Sequence, residues 1–137
     1  MVQRSTVPEQ RAARLRLGDQ VLPLLSPARV YVCGITPYDV THLGHAATFV
    51  WADVAASVLR GAGVEVVTCR NVTDVDDVLT RAADARGRAY DEFALYQEYL
   101  FDKDMAALGV SRPSHEPRAR HFTTQVQQLA ASTMAAW

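Results

Sequence analysis

The sequence is short of lysine, of cysteine and of long apolar runs. Of its 14 basic residues, thirteen are arginines and only Lys103 is a lysine, and the formal net charge is −1. The arginines are scattered along the chain with no basic stripe, which argues against a protein that holds nucleic acid through its phosphates. No uninterrupted apolar run approaches the roughly 18 to 20 residues that a membrane span requires, and the polar opening MVQRSTVPEQRAARLRLGDQ lacks the apolar centre of a signal peptide. The 2 cysteines, Cys33 and Cys69, are too few for a disulfide framework. These absences point to a cytoplasmic protein with no membrane partner, whose reduced thiols serve as ligands or as small apolar fillers.

What is present suits one domain with a real core: 137 residues, 49% apolar and 21% charged. Residues 1–18 are charged and unpatterned and read as a mobile arm or short helix, leaving 19–137 as the domain. QVLPLLSPA carries two prolines and favours extended or turn structure. RVYVCG is a short β-rich run ending at Gly34, followed by the turn-prone ITPYD. From about Thr41 the period changes. In HLGHAATFVWADVAASVLRGAG, Ala47, Val50, Trp51, Val54, Ala55, Val58 and Leu59 recur at spacings of three and four, and Gly61 and Gly63 supply the stop. VEVVTC reads as a second strand, which makes a βαβ unit with parallel strands and a right-handed crossover.

NVTDVDD closes that strand and opens another helix, with Thr73 or Asp74 as cap, Asp76 and Asp77 near the positive end, and Val75, Val78, Leu79 and Ala82 as the buried stripe. A third helix is expected over about 91–108, with Phe93, Tyr96, Leu100 and Leu108 near helical spacing and Gly109 after it. SRPSHEPRAR reads as a proline-broken connection, and about 122–137 as a last helix aligning Phe122, Val126 and Leu129.

Ligands of open parallel sheets collect at the carboxyl ends of the strands, beside the unpaired N–H groups of helix starts. The stretches 33–45 and 71–77 both fall at that edge. Gly44 leaves room for a ligand in the first helical turn, and His42 and His45 can donate to phosphate oxygens as charge builds on them in a transition state. Each residue also has a plainer reading: Cys33 a buried filler, His42 a cap, His45 a solvated side chain, the aspartates helix-start residues, Cys69 a core residue. Spacing alone leaves both readings open.

The motifs taken together narrow the choice. HLGH followed by an alanine resembles the HIGH signature of class I aminoacyl-tRNA synthetases, and YVCGITPYDVTHLGHAATF with NVTDVDD resembles the cysteine-activating branch, in the same order and at the same distance. Cysteinyl-tRNA synthetases usually read closer to CGPTVYD and NITDIDD, whereas CGITPYD, THLGHAAT and NVTDVDD look more like the mycothiol-biosynthesis ligases, which join cysteine to glucosaminyl-inositol. The resemblance covers about residues 20–122 and weakens after Leu108, although HEPRARHF still looks like the family's entry to its connecting region, here 110–137.

The resemblance implies an α/β, partial Rossmann-like nucleotide-binding fold of the HUP type, with parallel strands and crossover helices. Its cofactors would be ATP and Zn2+. Cys33 would be one zinc ligand, in a family where the metal binds the substrate sulfur; a thiolate is a soft, strong zinc ligand. His42, Gly44 and His45 would hold ATP, with the two histidines acting catalytically at the α-phosphate. Gly34, Ile35, Thr36, Thr48, Asn71, Val72 and Thr73 would line the cysteinyl-adenylate pocket. The implied substrates are L-cysteine and an acceptor, glucosaminyl-inositol or tRNA(Cys). Family members are several times longer and carry their other zinc ligands and a lysine loop in a second half, whereas here Cys69 is the only other cysteine and Lys103 the only lysine. The expectation is therefore an amino-terminal half-site: a fragment, a truncated paralogue, or a piece completed by a carboxyl-terminal half on another chain. Two other readings stay in view, a cysteinyl-tRNA synthetase fragment and a non-catalytic nucleotide-binding module derived from that fold.

Overall fold

The computed structural model describes residues 15–22, 25–39 and 41–136. Strand β1 (Leu15–Leu17) and strand β2 (Gln20–Leu22) pair antiparallel through a turn at Gly18, whose φ of +58° suits a residue without a side chain. This hairpin takes up the end of the stretch expected as an arm or short helix; residues 1–14 lie outside the described residues.

The expected βαβ unit follows. Strand β3 (Ala28–Val32), helix α1 (Leu43–Gly61) and strand β4 (Val66–Arg70) bring β3 and β4 together in parallel, with Tyr31 opposite Cys69 and Val32 opposite Arg70. Helix α1 is capped by His42, whose Nδ1 accepts the backbone N–H of His45 at 3.3 Å, and the chain leaves it through Gly63 at φ +80°. Ala56 and Leu59 of α1 pack on Ala28 and Val66, while Phe49 packs on Phe101 and Met105 with Val32 and Ile35 at the margin.

The buried face of α1 agrees with the expected one at Leu59 and departs from it elsewhere. Phe49, Ala56 and Leu59 are buried, Val50 is half-buried, and Ala47, Trp51, Val54, Ala55 and Val58 are exposed, Trp51 at 73%. The helix is apolar on more than one side, so hydrophobic spacing cannot select the side that meets the sheet.

Helix α2 (Asp77–Ala85) and helix α3 (Tyr90–Ala107) pack through Leu79, Ala83, Phe93 and Ala94. The cap of α2 is Asp76, whose Oδ1 accepts the N–H of Val78 at 2.7 Å, and neither Thr73 nor Asp74 fills that place. Val75 and Val78 are exposed, Ala82 is half-buried, and Ala83 takes the buried position beside Leu79. On α3 the buried residues are Phe93, Ala94, Phe101 and Met105; Tyr96 and Leu108 are exposed and Leu100 is half-buried. Helix α4 (Thr123–Ala135) forms where a helix was expected, but none of its described residues is buried, Val126 and Leu129 included.

The proline-broken connection has a structural role as a third, strand-like stretch beside β4. His115 bridges Cys69 and Arg118 bridges Val72, both in parallel. His115 and Ala119 donate to the carbonyls of Thr68 and Val72, each at 3.0 Å, while Pro117 only accepts, from Val72 at 2.9 Å. Proline has no N–H to offer, so it fits where the ladder asks for a carbonyl alone. Cys69, in the middle of this arrangement, is half-buried and not part of the core as expected.

Buried ion pairs hold that stretch down. Asp74, 1% exposed, accepts from the backbone N–H of Arg120 at 3.0 Å and from its guanidinium, with Arg118 at 3.8 Å. Arg118 pairs through both terminal nitrogens with Glu98 on α3, at 2.8 and 2.6 Å. Arg70, 8% exposed, pairs with Asp102 and Glu116 and lies 4.8 Å from the centre of the Phe101 ring. Arg120→Met leaves the buried Asp74 carboxylate only Arg118, at 3.8 Å, and one backbone N–H, and is expected to lower unfolding free energy by about 3 kcal/mol. The exposed neighbour Arg112→Ala should change it by under about 0.5 kcal/mol. Urea denaturation checks both.

Candidate functional site

The site begins where the backbones of the two strand ends meet. The amide oxygen of Asn71 accepts the N–H of Gly34 at 2.7 Å and the hydroxyl of Tyr31 at 2.9 Å. A β-carbon added at Gly34 would lie 1.6 Å from the carbonyl oxygen of Asn71, so only glycine permits this approach. The other end of the Asn71 amide donates to Thr73 Oγ1 at 3.0 Å. Beyond Gly34 the chain turns tightly: Tyr38 donates its N–H to the carbonyl of Thr36 at 2.9 Å across the buried Pro37, and the Thr36 hydroxyl donates to Asp76 Oδ2 at 3.1 Å.

A cleft of about 360 Å³ opens over this turn, lined by Cys33, Gly34, Ile35, Thr36, Tyr38, His45, Thr48 and Phe49. That volume is in the range of small-molecule sites. Six of the residues singled out from the sequence thus share one wall system: Cys33, Gly34, Ile35, Thr36, His45 and Thr48. His42, Gly44, Asn71, Val72 and Thr73 are not on it. His42 stacks against His45, ring centres 3.5 Å apart and planes at 24°, and an added β-carbon at Gly44 would come within 3.1 Å of the His42 ring. Asn71 and Val72 line a separate, smaller cavity with Pro37, Glu98 and Phe101. Thr73 is half-buried and held by Asn71.

Three supporting residues stand outside the expected site. Phe49 lies one helical turn beyond His45, a spacing that could have placed it there. Tyr31 is two residues before Cys33 on the same strand face, which the period of two would have given. By type and position Asp76 is expected only as a helix-start residue, and nothing in its spacing signals the bond to Thr36.

The Nδ1 atom of His45 is buried without a hydrogen-bond partner. Partial burial, reinforced by the adjacent His42, lowers the proton affinity of His45 below its ordinary value. A neutral imidazole stacked on a second one, at the amino end of a helix, retains N–H capacity for an anionic group. Cys33 is exposed on the cleft wall, yet among the described residues no three His, Cys, Asp or Glu side chains converge to hold a metal ion. The thiol alone does not make a zinc centre.

Two outcomes follow from this geometry. Gly34→Ala should cost at least about 3 kcal/mol in unfolding free energy, because the strand ends must separate to admit the methyl group. His45 binds its proton less readily folded than unfolded, so its contribution to stability is complete above the ordinary histidine value of 6.5 and is lost as pH falls below it. Melting curves from pH 7.5 to about 5 should show this loss in the wild type and a shallower one in His45→Asn.

The family model of the class I (C) tRNA synthetase catalytic domain matches residues 24–136. The L-cysteine:1D-myo-inositol 2-amino-2-deoxy-alpha-D-glucopyranoside ligase of Brachybacterium faecium is 53% identical over 94 residues, 68% of this chain and 23% of the relative. The ligase of the same name from Micrococcus luteus is 47% identical over 109 residues, 80% of this chain and 26% of the relative. The cysteine–tRNA ligase of Aromatoleum aromaticum is 44% identical over 101 residues, 74% of this chain and 22% of the relative. The chain spans about a quarter of the length of these relatives. Among the described residues, no helix is long and apolar enough to cross a membrane. With parallel strands, a crossover helix and a family match over most of its length, the chain belongs to the class I tRNA synthetase catalytic-domain family, in its cysteine-ligase branch, and carries that family's Rossmann-like α/β fold.

Proposed function

We propose that residues 19–137 form the amino-terminal half of a catalytic domain that activates L-cysteine with ATP and transfers the cysteinyl group to the amine of glucosaminyl-inositol, with 110–137 leading into a connecting region. The observation that carries this reading is the single cleft shared by Cys33, the Gly34–Ile35–Thr36 turn, His45 and Thr48. In the first step a carboxylate oxygen of cysteine attacks the α-phosphorus of ATP and the bond to pyrophosphate breaks, giving cysteinyl-adenylate. In the second the acceptor amine attacks the acyl carbon, AMP leaves with the bonding pair, and the nitrogen gives up a proton.

His45 would donate to the α-phosphate as its charge grows, with His42 stacked behind it and Gly44 keeping the first helical turn clear. Thr48, whose hydroxyl is bonded to the carbonyl of Gly44 at 3.2 Å, would line the same wall. Asn71, Val72 and Thr73 would serve the pocket from behind Gly34, Asn71 by holding that residue's N–H. Cys33 would supply one thiolate to a zinc ion whose remaining ligands come from other residues, and selection of a thiol substrate is the chemistry that metal would add.

The acceptor separates the two kinds of relative. CGITPYD and the higher identity to the glucosaminyl-inositol ligases favour the amine over tRNA(Cys), and the lack of a basic stripe agrees.

A non-hydrolysable cysteinyl-adenylate analogue tests the reading. His45→Asn is expected to weaken its binding by roughly tenfold or more while leaving the melting temperature at pH 7.5 nearly unchanged. Equal loss of binding and folding would make His45 a structural residue. Cysteine-dependent exchange of labelled pyrophosphate into ATP should appear when a relative's carboxyl-terminal part is supplied, and its absence there would count against the activation step.

A further inference from the structure

The carboxylate of Asp76 has more bonds than a helix cap requires. Capping α2 uses Oδ1 alone, which accepts the N–H of Val78 at 2.7 Å. Oδ2 reaches across to the other strand-end loop and accepts the hydroxyl proton of Thr36 at 3.1 Å. A carboxylate has no proton to give, so the direction of this bond is settled by its chemistry: the threonine donates. Once that proton is committed to Asp76, the Thr36 oxygen has only lone pairs left for anything else it meets. Thr36 lines the cleft, three residues from the Cys33 thiol.

We infer that Asp76 is a positioning residue that fixes the Thr36 hydroxyl as a hydrogen-bond acceptor for the ammonium group of a ligand whose sulfur end lies toward Cys33. The inference rests on the proposed function, since it assigns the amino-acid end of the adenylate to this wall. Three features support it. A hydroxyl that donates to an anion becomes a stronger acceptor, because successive hydrogen bonds polarise one another. The negative charge of Asp76, one bond removed, favours a cation at that place over a neutral or anionic group. The turn itself is held on both sides, by Tyr38 N–H on the Thr36 carbonyl at 2.9 Å and by Asn71 on Gly34 N–H at 2.7 Å, so the hydroxyl has a fixed base from which to act.

Asp76→Asn separates this role from capping. Asparagine caps helices as well as aspartate, but its NH2 group would face Thr36 as a donor, and the threonine proton would be released toward the cleft. The acceptor becomes a donor while the fold is kept. The experiment measures, by calorimetry on the full chain, the affinities of two probes: 5′-O-sulfamoyladenosine acylated with L-cysteine, and the same nucleoside acylated with 3-mercaptopropionate, which keeps the thiol and lacks the ammonium. The wild type is expected to favour the cysteinyl probe by about tenfold or more. Thr36→Ser should keep that preference, and both Thr36→Val and Asp76→Asn should lose most of it while still binding the 3-mercaptopropionyl probe.

A preference unchanged in Asp76→Asn, or equal weakening of both probes, would overturn the inference and leave the proposed function standing. Failure of the wild type to bind either probe would overturn the proposed function and the inference with it.

Discussion

The contact between Gly34 and Asn71 is the constraint on which the rest of the site depends. Two parallel strands end side by side, and their next residues would ordinarily diverge into separate loops. Here one amide oxygen takes both the N–H of Gly34 and the hydroxyl of Tyr31, and the missing side chain at position 34 lets the backbones close. With the first loop pinned at Gly34, its turn delivers Thr36 to Asp76, which in turn starts α2. The cleft is the space left between this cross-linked edge and the first turns of α1. A thiol and a hydroxyl from the loop after β3 face an imidazole from the first turn of α1 there, and the pinned strand ends hold that loop in place.

Behind the edge, charge does work that apolar packing does in larger domains. The stretch 114–120 adds little apolar area, yet it lies along β4 because Arg118 and Arg120 meet Asp74, Asp91 and Glu98, and because Glu116 meets Arg70. Buried pairs of this kind contribute less to net stability than their Coulomb energy suggests, since desolvation offsets it. What they provide is direction. Asp74 accepts from a backbone N–H and a guanidinium at once, so the stretch has one register in which its carboxylate is satisfied. The same residue accepts, through its carbonyl, the hydroxyl of Tyr90 at the start of α3.

Much of the fold could be read from residue spacing, and the reason is local. Strand β3 ends two residues before Gly34 and β4 at Arg70, α1 and α3 end two residues before Gly63 and Gly109, and the parallel crossover follows from their order. The faces could not be read so well. On α1 the sequence pattern selects Trp51, Val54 and Val58 beside Leu59, whereas Ala56 joins Leu59 against the sheet and Phe49 packs on Phe101 and Met105 of α3. The cap of α2 differs from the expected one for a related reason: Asp74 and Asp76 are equally good caps by type, and only the position of Arg120, nearly fifty residues on, removes Asp74 from the choice. The motif residues Cys33 to Thr36, His45 and Thr48 do share a cleft, while Asn71 acts through its amide from behind and His42 through its ring beside His45. Long-range hydrogen bonds such as Thr36 to Asp76 leave no trace in periodicity.

A crystal structure of the chain with a non-hydrolysable cysteinyl-adenylate analogue tests the central claim most directly. The account expects the Gly34 backbone seated against the Asn71 carbonyl and the analogue lying along Cys33, Thr36 and His45. Strand ends standing apart, or an analogue bound away from those three side chains, would contradict it.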